Sequence, residues 1–173
     1  MAKTIQSLWF YLSVSMCALP FCTFAANPAA PYFAATEQSK QVGTEYFQAY
    51  IKMDWTALAP LMAEENSFDD QTAHLVFGPM LKQGKAQVLQ HFTENYVGLT
   101  MQFTTSRQLF AGNMALFEGE LNWTLQQPKR KIVTQKMPMV IVLKIEHGKV
   151  TEHRDYADYQ PFIKAMQQPA PAS

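Results

Sequence analysis

Two side chains near the C-terminus, His153 and Asp155, have the types and the spacing for proton transfer. They lie two positions apart in residues 150–156, whose alternation predicts a strand, so both face one side of it while Arg154 faces the other. A histidine titrates near neutral pH without assistance, and a neighbouring carboxylate suits it to general acid/base work. A purely structural interpretation also fits: His153 and Asp155 pair with each other, or with Arg107, and close the sheet.

The other histidines and the cysteines show no pattern for a metal site. His74 falls in a predicted loop, His91 on a predicted helix and His147 in a predicted turn. Both cysteines, Cys17 and Cys22, fall in the first 25 residues, so the rest of the chain has no disulfide and no thiolate ligand. We therefore expect neither a metal nor any other cofactor.

Helices are predicted to precede most of the strands. Apolar residues recur at helical spacing over 37–53 and again over 85–97. Between them, Asp54 is a good N-cap for a further helix, which Pro60 should kink or shorten. A short strand is predicted at 67–70.

After Gly98 the apolar period changes to two, which predicts long strands joined by tight turns. Residues 117–125 alternate cleanly and indicate a half-buried strand. Residues 137–145 are apolar on both faces, which indicates a central strand or a sheet covered on both sides. Helices gathered on one face of an antiparallel sheet make an α+β layer fold.

The first 25 residues have the order of a secretory signal peptide. Lys3 gives a positive start, residues 8–24 are mostly apolar, and Thr23-Phe24-Ala25 offers a small-x-small cleavage site. We predict a periplasmic or secreted protein with no stable membrane anchor after cleavage. The alternative is an uncleaved anchor, because the apolar run approaches the length of a spanning helix.

The remaining chain divides into three parts. Residues 26–36 are rich in Ala and Pro and predict a flexible tether, 37–165 form one α+β domain, and 166–173 predict a disordered tail. The formal net charge is zero, and the one dense basic run, 129–131, is typical of a solvated turn. We therefore expect no nucleic-acid partner.

Two segments carry a resemblance to a known superfamily. Residues 46–70 contain Lys-Met-Asp-Trp and end in Asp-Asp, and residues 146–158 read Glu-His-Gly-Lys-Val-Thr-Glu-His-Arg-Asp-Tyr-Ala-Asp. In this order, with strands between them, they resemble the nuclear transport factor 2-like superfamily, and the chain looks like one of its SnoaL-like domain proteins over 37–165. The resemblance implies a cone-shaped, curved antiparallel sheet with three helices enclosing one pocket.

The steroid delta-isomerases of this superfamily suggest one set of roles. By resemblance, Asp70 would be the base that moves a proton beside a carbonyl, and Tyr46 would donate a hydrogen bond to the resulting enolate. The alternative is that Tyr46 is a core aromatic and that Asp69 and Asp70 form an acidic turn at a strand end. Those isomerases have a second, protonated acid where this chain has Val140, so a faithful steroid isomerase is not expected.

The limonene epoxide hydrolases suggest another role. By resemblance, Asp155 would activate water together with an Arg and a second Asp on a neighbouring strand. That strand carries Glu118 and Glu120 and no Arg. The hydrolase machinery is therefore incomplete.

A pocket in such a fold would be lined by the apolar and aromatic residues of the core. We predict that it binds a small apolar or amphipathic molecule, with isomerase-, cyclase- or hydrolase-like acid/base chemistry and no metal. The alternative is a non-catalytic ligand-binding module of the cell envelope, or an interaction module that forms a homodimer through its sheet. The predicted ligand-binding residues are Phe77, Phe92, Phe103, Trp123, Met139 and Val140.

Overall fold

The computed structural model describes residue 27 and residues 29–128 and 130–167. The predicted signal peptide over 1–25, the tip residue Lys129 and the end of the predicted tail after Gln167 lie outside the described residues. The described helices are α1 (Ala30–Ile51), α2 (Trp55–Leu58), α3 (His74–Phe77), α4 (Lys85–Asn95) and α5 (Gln160–Gln167). Of these, none is long and apolar enough to cross a membrane.

Six strands form one curved sheet, in the order β2-β1-β6-β5-β4-β3. All described neighbours are antiparallel except β1 and β6, which run parallel. The prediction of an α+β fold with a curved, mainly antiparallel sheet is confirmed. The strands are β1 (Met62–Asp70), β2 (Lys82–Gln83), β3 (Leu99–Ala111), β4 (Met114–Gln127), β5 (Arg130–Glu146) and β6 (Lys149–Ala157).

Helix α1 covers the inner face of the sheet. The ring of Phe47 in α1 stacks on the ring of Phe117 in β4, with the two ring centroids 4.1 Å apart. Gly43 permits this close contact, because a Cβ at that position would lie 2.6 Å from the Cβ of Ala115. The helix therefore lies directly on the strands and holds its buried tyrosines, Tyr46 and Tyr50, between itself and the sheet.

The long strands bend at irregularities in their pairing. The β3–β4 register shifts between Thr105 and Arg107, next to Gly119, where a Cβ would lie 2.1 Å from the carbonyl oxygen of Thr104. The β4–β5 register shifts between Leu121 and Trp123, opposite Lys136, which has a positive φ of 53°. Such bulges increase local twist and bend the strand, which lets a single sheet curve around a cavity.

Several boundaries differ from the sequence-based ones. Helix α1 already includes 30–36, the greater part of the predicted tether, and the side chain of Thr36 accepts a hydrogen bond from the backbone of Gly112 at 2.9 Å. Asp54 caps α2 as predicted, through the backbone N–H of Ala57. That helix is only one turn long, because Pro60 lies in a 3₁₀ turn that ends it, and β1 begins at Met62.

Candidate functional site

A cavity of about 770 Å³ opens between the inner face of the sheet, α4 and α5. One part of its wall is apolar and aromatic and comes from the end of α3, the segment that follows it, β3, β4, β5 and α5. The residues of that part are Phe77, Pro79, Met80, Leu99, Met101, Leu121, Trp123, Leu125, Met137, Met139 and Phe162.

A second part of the wall, which we call the carboxylate end, consists of Tyr50, Asp70, Tyr96, Asp155 and Tyr159. Its two acids come from the parallel strands β1 and β6, where Asp70 lies directly beside Asp155 in the pairing register. The two residues are only 4% and 1% exposed. The fold therefore brings two buried carboxyl groups to adjacent positions at one edge of the sheet.

Asp155 is held by two donors. One carboxylate oxygen lies 2.8 Å from Nε2 of His153, and the other accepts the hydroxyl hydrogen of Tyr50 at 3.0 Å. Since the carboxylate accepts from Nε2, the neutral imidazole presents Nδ1 as an acceptor, and the hydroxyl of Tyr46 lies 3.2 Å from it. The chain of hydrogen bonds thus runs from Tyr46 through His153 to Asp155.

Asp70 has a different environment. Its Oδ1 accepts from the backbone N–H groups of Thr72 and Ala73 and from the Thr72 hydroxyl, at 2.8–3.1 Å. Its Oδ2 accepts the hydroxyl hydrogen of Tyr159 at 2.5 Å. Burial, followed by the charge of Asp155, raises the pKa of Asp70 above its ordinary value, although the hydrogen bonds oppose that shift.

The tyrosines of the carboxylate end stay protonated. Burial raises the pKa of Tyr50, Tyr96 and Tyr159 well above the ordinary value for tyrosine, and the nearby carboxylates add to the effect. The hydroxyl oxygens of Tyr50 and Tyr96 lie 3.0 Å apart. These hydroxyl groups therefore act as hydrogen-bond donors and acceptors rather than as bases.

Two cavity-lining residues carry buried nitrogens without a hydrogen-bond partner among the described residues: His91 at Nε2 and Trp123 at Nε1. The side-chain amide of Asn95 donates to Nδ1 of His91 at 3.1 Å, so Nε2 carries the hydrogen of the neutral ring. Burial lowers the pKa of His91, and the positive charge of Lys82 adds to this, so the ring is held neutral. Both unpartnered nitrogens are N–H donors.

The four predicted catalytic residues fall into two layers. Asp70 and Asp155 line the cavity, whereas Tyr46 and His153 lie behind the wall and are fully buried. Tyr46 faces the imidazole rather than the cavity because it lies one helical turn before Tyr50, whose side chain occupies the wall. Asp155 pairs with His153, as the structural interpretation of the sequence proposed, and it also lines the cavity; Arg107 instead pairs with Glu118.

Three of the predicted ligand-binding residues, Phe77, Trp123 and Met139, line the cavity. The other three do not line it. Phe92 is fully buried and stacks on Trp55, and Phe103 packs edge-on against Phe47 of α1. Val140 lies on the outer face of the sheet, opposite Tyr156, because alternate residues of β5 point inward.

The position of Val140 changes the comparison with steroid isomerases. The residue of β5 that lines the cavity next to it is Met139, and Met137 is the next inward-facing one. Both are apolar, so β5 brings no acid to the cavity.

Sequence reasoning did not find Tyr50, Tyr96, Tyr159 or Phe162. Tyr50 had a usable signal, since it shares a helix face with Tyr46 at spacing i and i+4. Tyr159 and Phe162 belong to the segment around α5, which spans the end of the predicted domain (37–165) and the start of the predicted tail (166–173). Within 29–128 and 130–167, no group of three or more His, Asp or Glu side chains could hold a metal ion.

Comparisons with known proteins agree with this architecture. A family model described as SnoaL-like domain matches residues 44–153. A search of curated proteins gives no match.

Solved structures match over most of the chain. A candidate SnoaL-like polyketide cyclase from Shewanella putrefaciens CN-32 has a TM-score of 0.65 at 22% identity, covering 75% of this chain and 96% of that one. A candidate ketosteroid isomerase from Kribbella flavida DSM 17836 has a TM-score of 0.54 at 23% identity, covering 79% and 84%. An LEH-like epoxide hydrolase from M. tuberculosis has a TM-score of 0.57 at 13% identity, covering 75% and 89%. These likenesses establish the fold.

Proposed function

Because this chain belongs to the SnoaL-like domain family, we propose that it binds a small amphipathic molecule in its cavity and exchanges a proton with that molecule through Asp155. The observation that carries the proposal is the position of Asp155 at an apolar cavity wall, next to Asp70 and supported by His153. A carboxylate in such a setting is a suitable general base.

Asp155 is a better base than Asp70 for a geometric reason. Four hydrogen bonds converge on the carboxylate of Asp70, and three of them are local contacts with residues 72 and 73 that shape the turn after β1. Asp155 accepts only two, one on each oxygen, and each oxygen keeps a lone pair. Asp70 would instead act electrostatically from its place beside Asp155, because the negative charges of the two carboxylates repel each other.

His153 and Tyr46 are positioning residues in this proposal. The Nε2–H of His153 fixes one carboxylate oxygen, and the Tyr46 hydroxyl fixes the ring tautomer from behind. Neither residue lines the cavity, so both would act through Asp155.

The chemical step is a proton transfer. The Asp155 carboxylate takes a proton from an acidic C–H group of the ligand, whose bonding electrons pass into an adjacent carbonyl as an enolate. The carboxylic acid then returns the proton to another carbon or oxygen of the same molecule. This step suits cyclase or isomerase chemistry, and with water as the proton donor it suits hydrolase chemistry.

Native mass spectrometry of the purified full-length gene product is the first test, because a retained ligand would appear as a discrete added mass. The ligand is then incubated with the protein in D₂O and followed for deuterium uptake. Asp155→Asn should reduce uptake by about 10²-fold or more, the usual range for a lost general base. Asp69→Asn is the matched control, since Asp69 is the neighbour of Asp70, does not line the cavity and pairs with His74. Exchange or turnover that survives Asp70→Asn combined with Asp155→Asn would remove the enzyme assignment.

We also propose that the protein acts in the periplasm or outside the cell. The support is the order of Lys3, the apolar residues 8–24 and the small-x-small site at 23–25. Intact-mass measurement of the protein from the cell envelope should give a chain that begins at Ala26. A chain that keeps its first 25 residues in the membrane fraction would support the uncleaved anchor instead.

A second candidate function, homodimerisation through the sheet, is supported by the outer face. Leu109, Leu116 and Val142 lie side by side in the pairing register of β3, β4 and β5, and Leu109 is 56% exposed. Tyr156 of β6 is 39% exposed on the same face. Sedimentation velocity should show a dimer that Val142→Lys converts to a monomer; a wild-type monomer over the micromolar range would contradict this candidate.

A further inference from the structure

We propose that the carboxylate end of the cavity accepts hydrogen bonds and does not donate them, so that it selects ligands with a hydroxyl donor, such as an alcohol, a phenol or an enol. The inference rests on the proposed ligand binding and adds the chemical class of the ligand. It follows from counting where each hydroxyl hydrogen at this end is used.

On the Asp155 side of the carboxylate end, the hydroxyl hydrogens are donated toward Asp155 rather than into the cavity. Tyr50 has one hydroxyl hydrogen and donates it to Oδ2 of Asp155 at 3.0 Å. The 3.0 Å contact between the Tyr50 and Tyr96 oxygens therefore requires the hydrogen of Tyr96. Tyr96 is left with lone pairs alone for a ligand.

The Asp70 side shows the same arrangement. Tyr159 donates its hydroxyl hydrogen to Oδ2 of Asp70, so its oxygen also keeps only lone pairs. Tyr96 and Tyr159 both line the cavity, as do the two acids. With both acids ionised, each polar atom that these residues can offer a ligand is an acceptor.

The donors of the cavity wall lie on other elements. They come from β2, α4 and β4 and are Lys82, Gln87, Gln90, His91, Asn95 and Trp123. The N–H groups of His91 and Trp123 have no partner among the described residues. A ligand acceptor, including the carbonyl oxygen of the proposed enolate step, would have to point toward those donors, because a ketone or ether oxygen at the carboxylate end would meet only acceptors there.

The hydrogen count has a mechanistic consequence. While Asp70 and Asp155 are ionised, neither Tyr96 nor Tyr159 can act as an oxyanion-hole donor, because each would have to withdraw its hydrogen from its present acceptor. A ligand hydroxyl at Tyr96 would instead extend the hydrogen-bond chain that ends at Asp155. An alcohol or enol proton could then reach Asp155 by three successive transfers, from ligand to Tyr96, from Tyr96 to Tyr50 and from Tyr50 to the carboxylate.

The test compares two probes on one scaffold, 2-naphthol and its methyl ether, 2-methoxynaphthalene, by isothermal titration calorimetry at pH 8. Wild-type protein should bind 2-naphthol at least about ten-fold more tightly than the ether, since a hydrogen bond to this end is made by one probe and lost by the other. Equal binding, or tighter binding of the ether, would overturn the inference about hydroxyl donors and leave the proposed ligand binding standing. If neither probe binds, the proposed ligand binding fails for aromatic molecules and the inference falls with it.

Two variants check that the preference comes from the tyrosine chain. In Asp155→Asn, the amide oxygen can keep accepting from His153 while the amide N–H donates to Tyr50, which reverses the chain and makes Tyr96 a donor toward the cavity. The naphthol-to-ether affinity ratio should then fall about ten-fold or invert. Tyr96→Phe, which needs no reversal and keeps the ring, should also lower that ratio about ten-fold.

Tyr156→Phe is the matched control, because this tyrosine lies on the outer face and should leave the ratio unchanged. The use of a ratio cancels the greater hydrophobicity of the ether. If Asp155→Asn does not fold, Tyr96→Phe decides the question. A wild-type ratio in the folded variants would overturn the inference.

Discussion

Removal of one oxygen atom from Tyr46 gives a sharp test of the buried hydrogen-bond chain. In Tyr46→Phe the ring and its packing are kept, so no cavity forms and the change isolates one hydrogen bond. That bond joins the Tyr46 hydroxyl to Nδ1 of His153 at 3.2 Å, and both residues are 0% exposed. Water cannot replace the hydroxyl at such a site without a rearrangement of the core.

The expected cost follows from what the substitution leaves behind. The imidazole Nδ1 becomes a buried acceptor without a donor, and such a group costs about 1–3 kcal/mol of unfolding free energy. That is a large share of the roughly 5–15 kcal/mol by which a domain is stable. We expect the loss to fall within this range.

The assay is equilibrium unfolding in urea at pH 7, with Tyr156→Phe as the control. Tyr156 is 39% exposed on the outer face, so its substitution should change the unfolding free energy by less than about 0.5 kcal/mol. A Tyr46→Phe protein as stable as this control would refute the hydrogen-bond chain. A variant that keeps its stability but loses proton exchange would place the Tyr46 hydroxyl in the chemistry, as the resemblance to steroid isomerases first suggested.

Three other predictions concern packing, pH and the C-terminal helix. Gly43→Ala should lower the unfolding free energy by about 1–3 kcal/mol, despite the better helix propensity of alanine, because the new Cβ would lie 2.6 Å from the Cβ of Ala115. A urea titration would measure this loss, and a stabilised variant would contradict the close contact. The native state binds the Asp70 proton more tightly than the unfolded state, because burial and Asp155 raise its pKa above 3.8, so this carboxyl should make the protein more stable as pH falls through the raised pKa toward 3.8. The unfolding free energy of the wild type, relative to that of Asp70→Asn, should therefore rise as the pH falls over that range. A relative free energy that falls instead would refute the raised pKa of Asp70. Arg130→Gln removes two hydrogen bonds to the carbonyl oxygens of Ala165 and Met166 in the last turn of α5, at 2.8 and 2.7 Å. Amide hydrogen exchange in α5 should become faster, while exchange in α4 stays unchanged. Unaltered exchange in α5 would show that other contacts hold the helix.

The sequence predicted the layers of this fold well, because its signals are local. Alternation in β4 and β5, the N-cap at Asp54 and the helical spacing around Tyr46 all depend on near neighbours. The parallel pairing of β1 with β6 could not be read from spacing, because it joins distant parts of the chain. The inward or outward direction of β5 also depends on the sheet, which is why Val140 was placed in the cavity and lies on the outer face.

The candidate site was predicted only in part, because its residue types are local signals whereas their placement depends on the sheet. The types of Asp70 and Asp155 pointed to proton chemistry, but which side chains reach the cavity depends on a single helical turn or strand position. Tyr50 lies on the wall and Tyr46 behind it, although both are tyrosines on one face of α1. The contribution of Tyr159 was missed because it depends on contacts with Asp70 and Trp123, which lie far away in sequence.

The parallel pairing of β1 with β6 also has a consequence for biosynthesis. Asp70 is made before the middle of the chain, whereas Asp155 and His153 lie on the last strand and Tyr159 follows it. The carboxylate end therefore cannot form until nearly the whole domain has been synthesised, and the contacts that complete it have high sequence separation, which slows folding. A shortened chain that ends before Lys149 would keep β3, β4 and most of α1's partners but would have no closed cavity. Ligand binding thus reports on completed folding of the entire domain, and a ligand of this cavity should act as a probe of chain completion during synthesis.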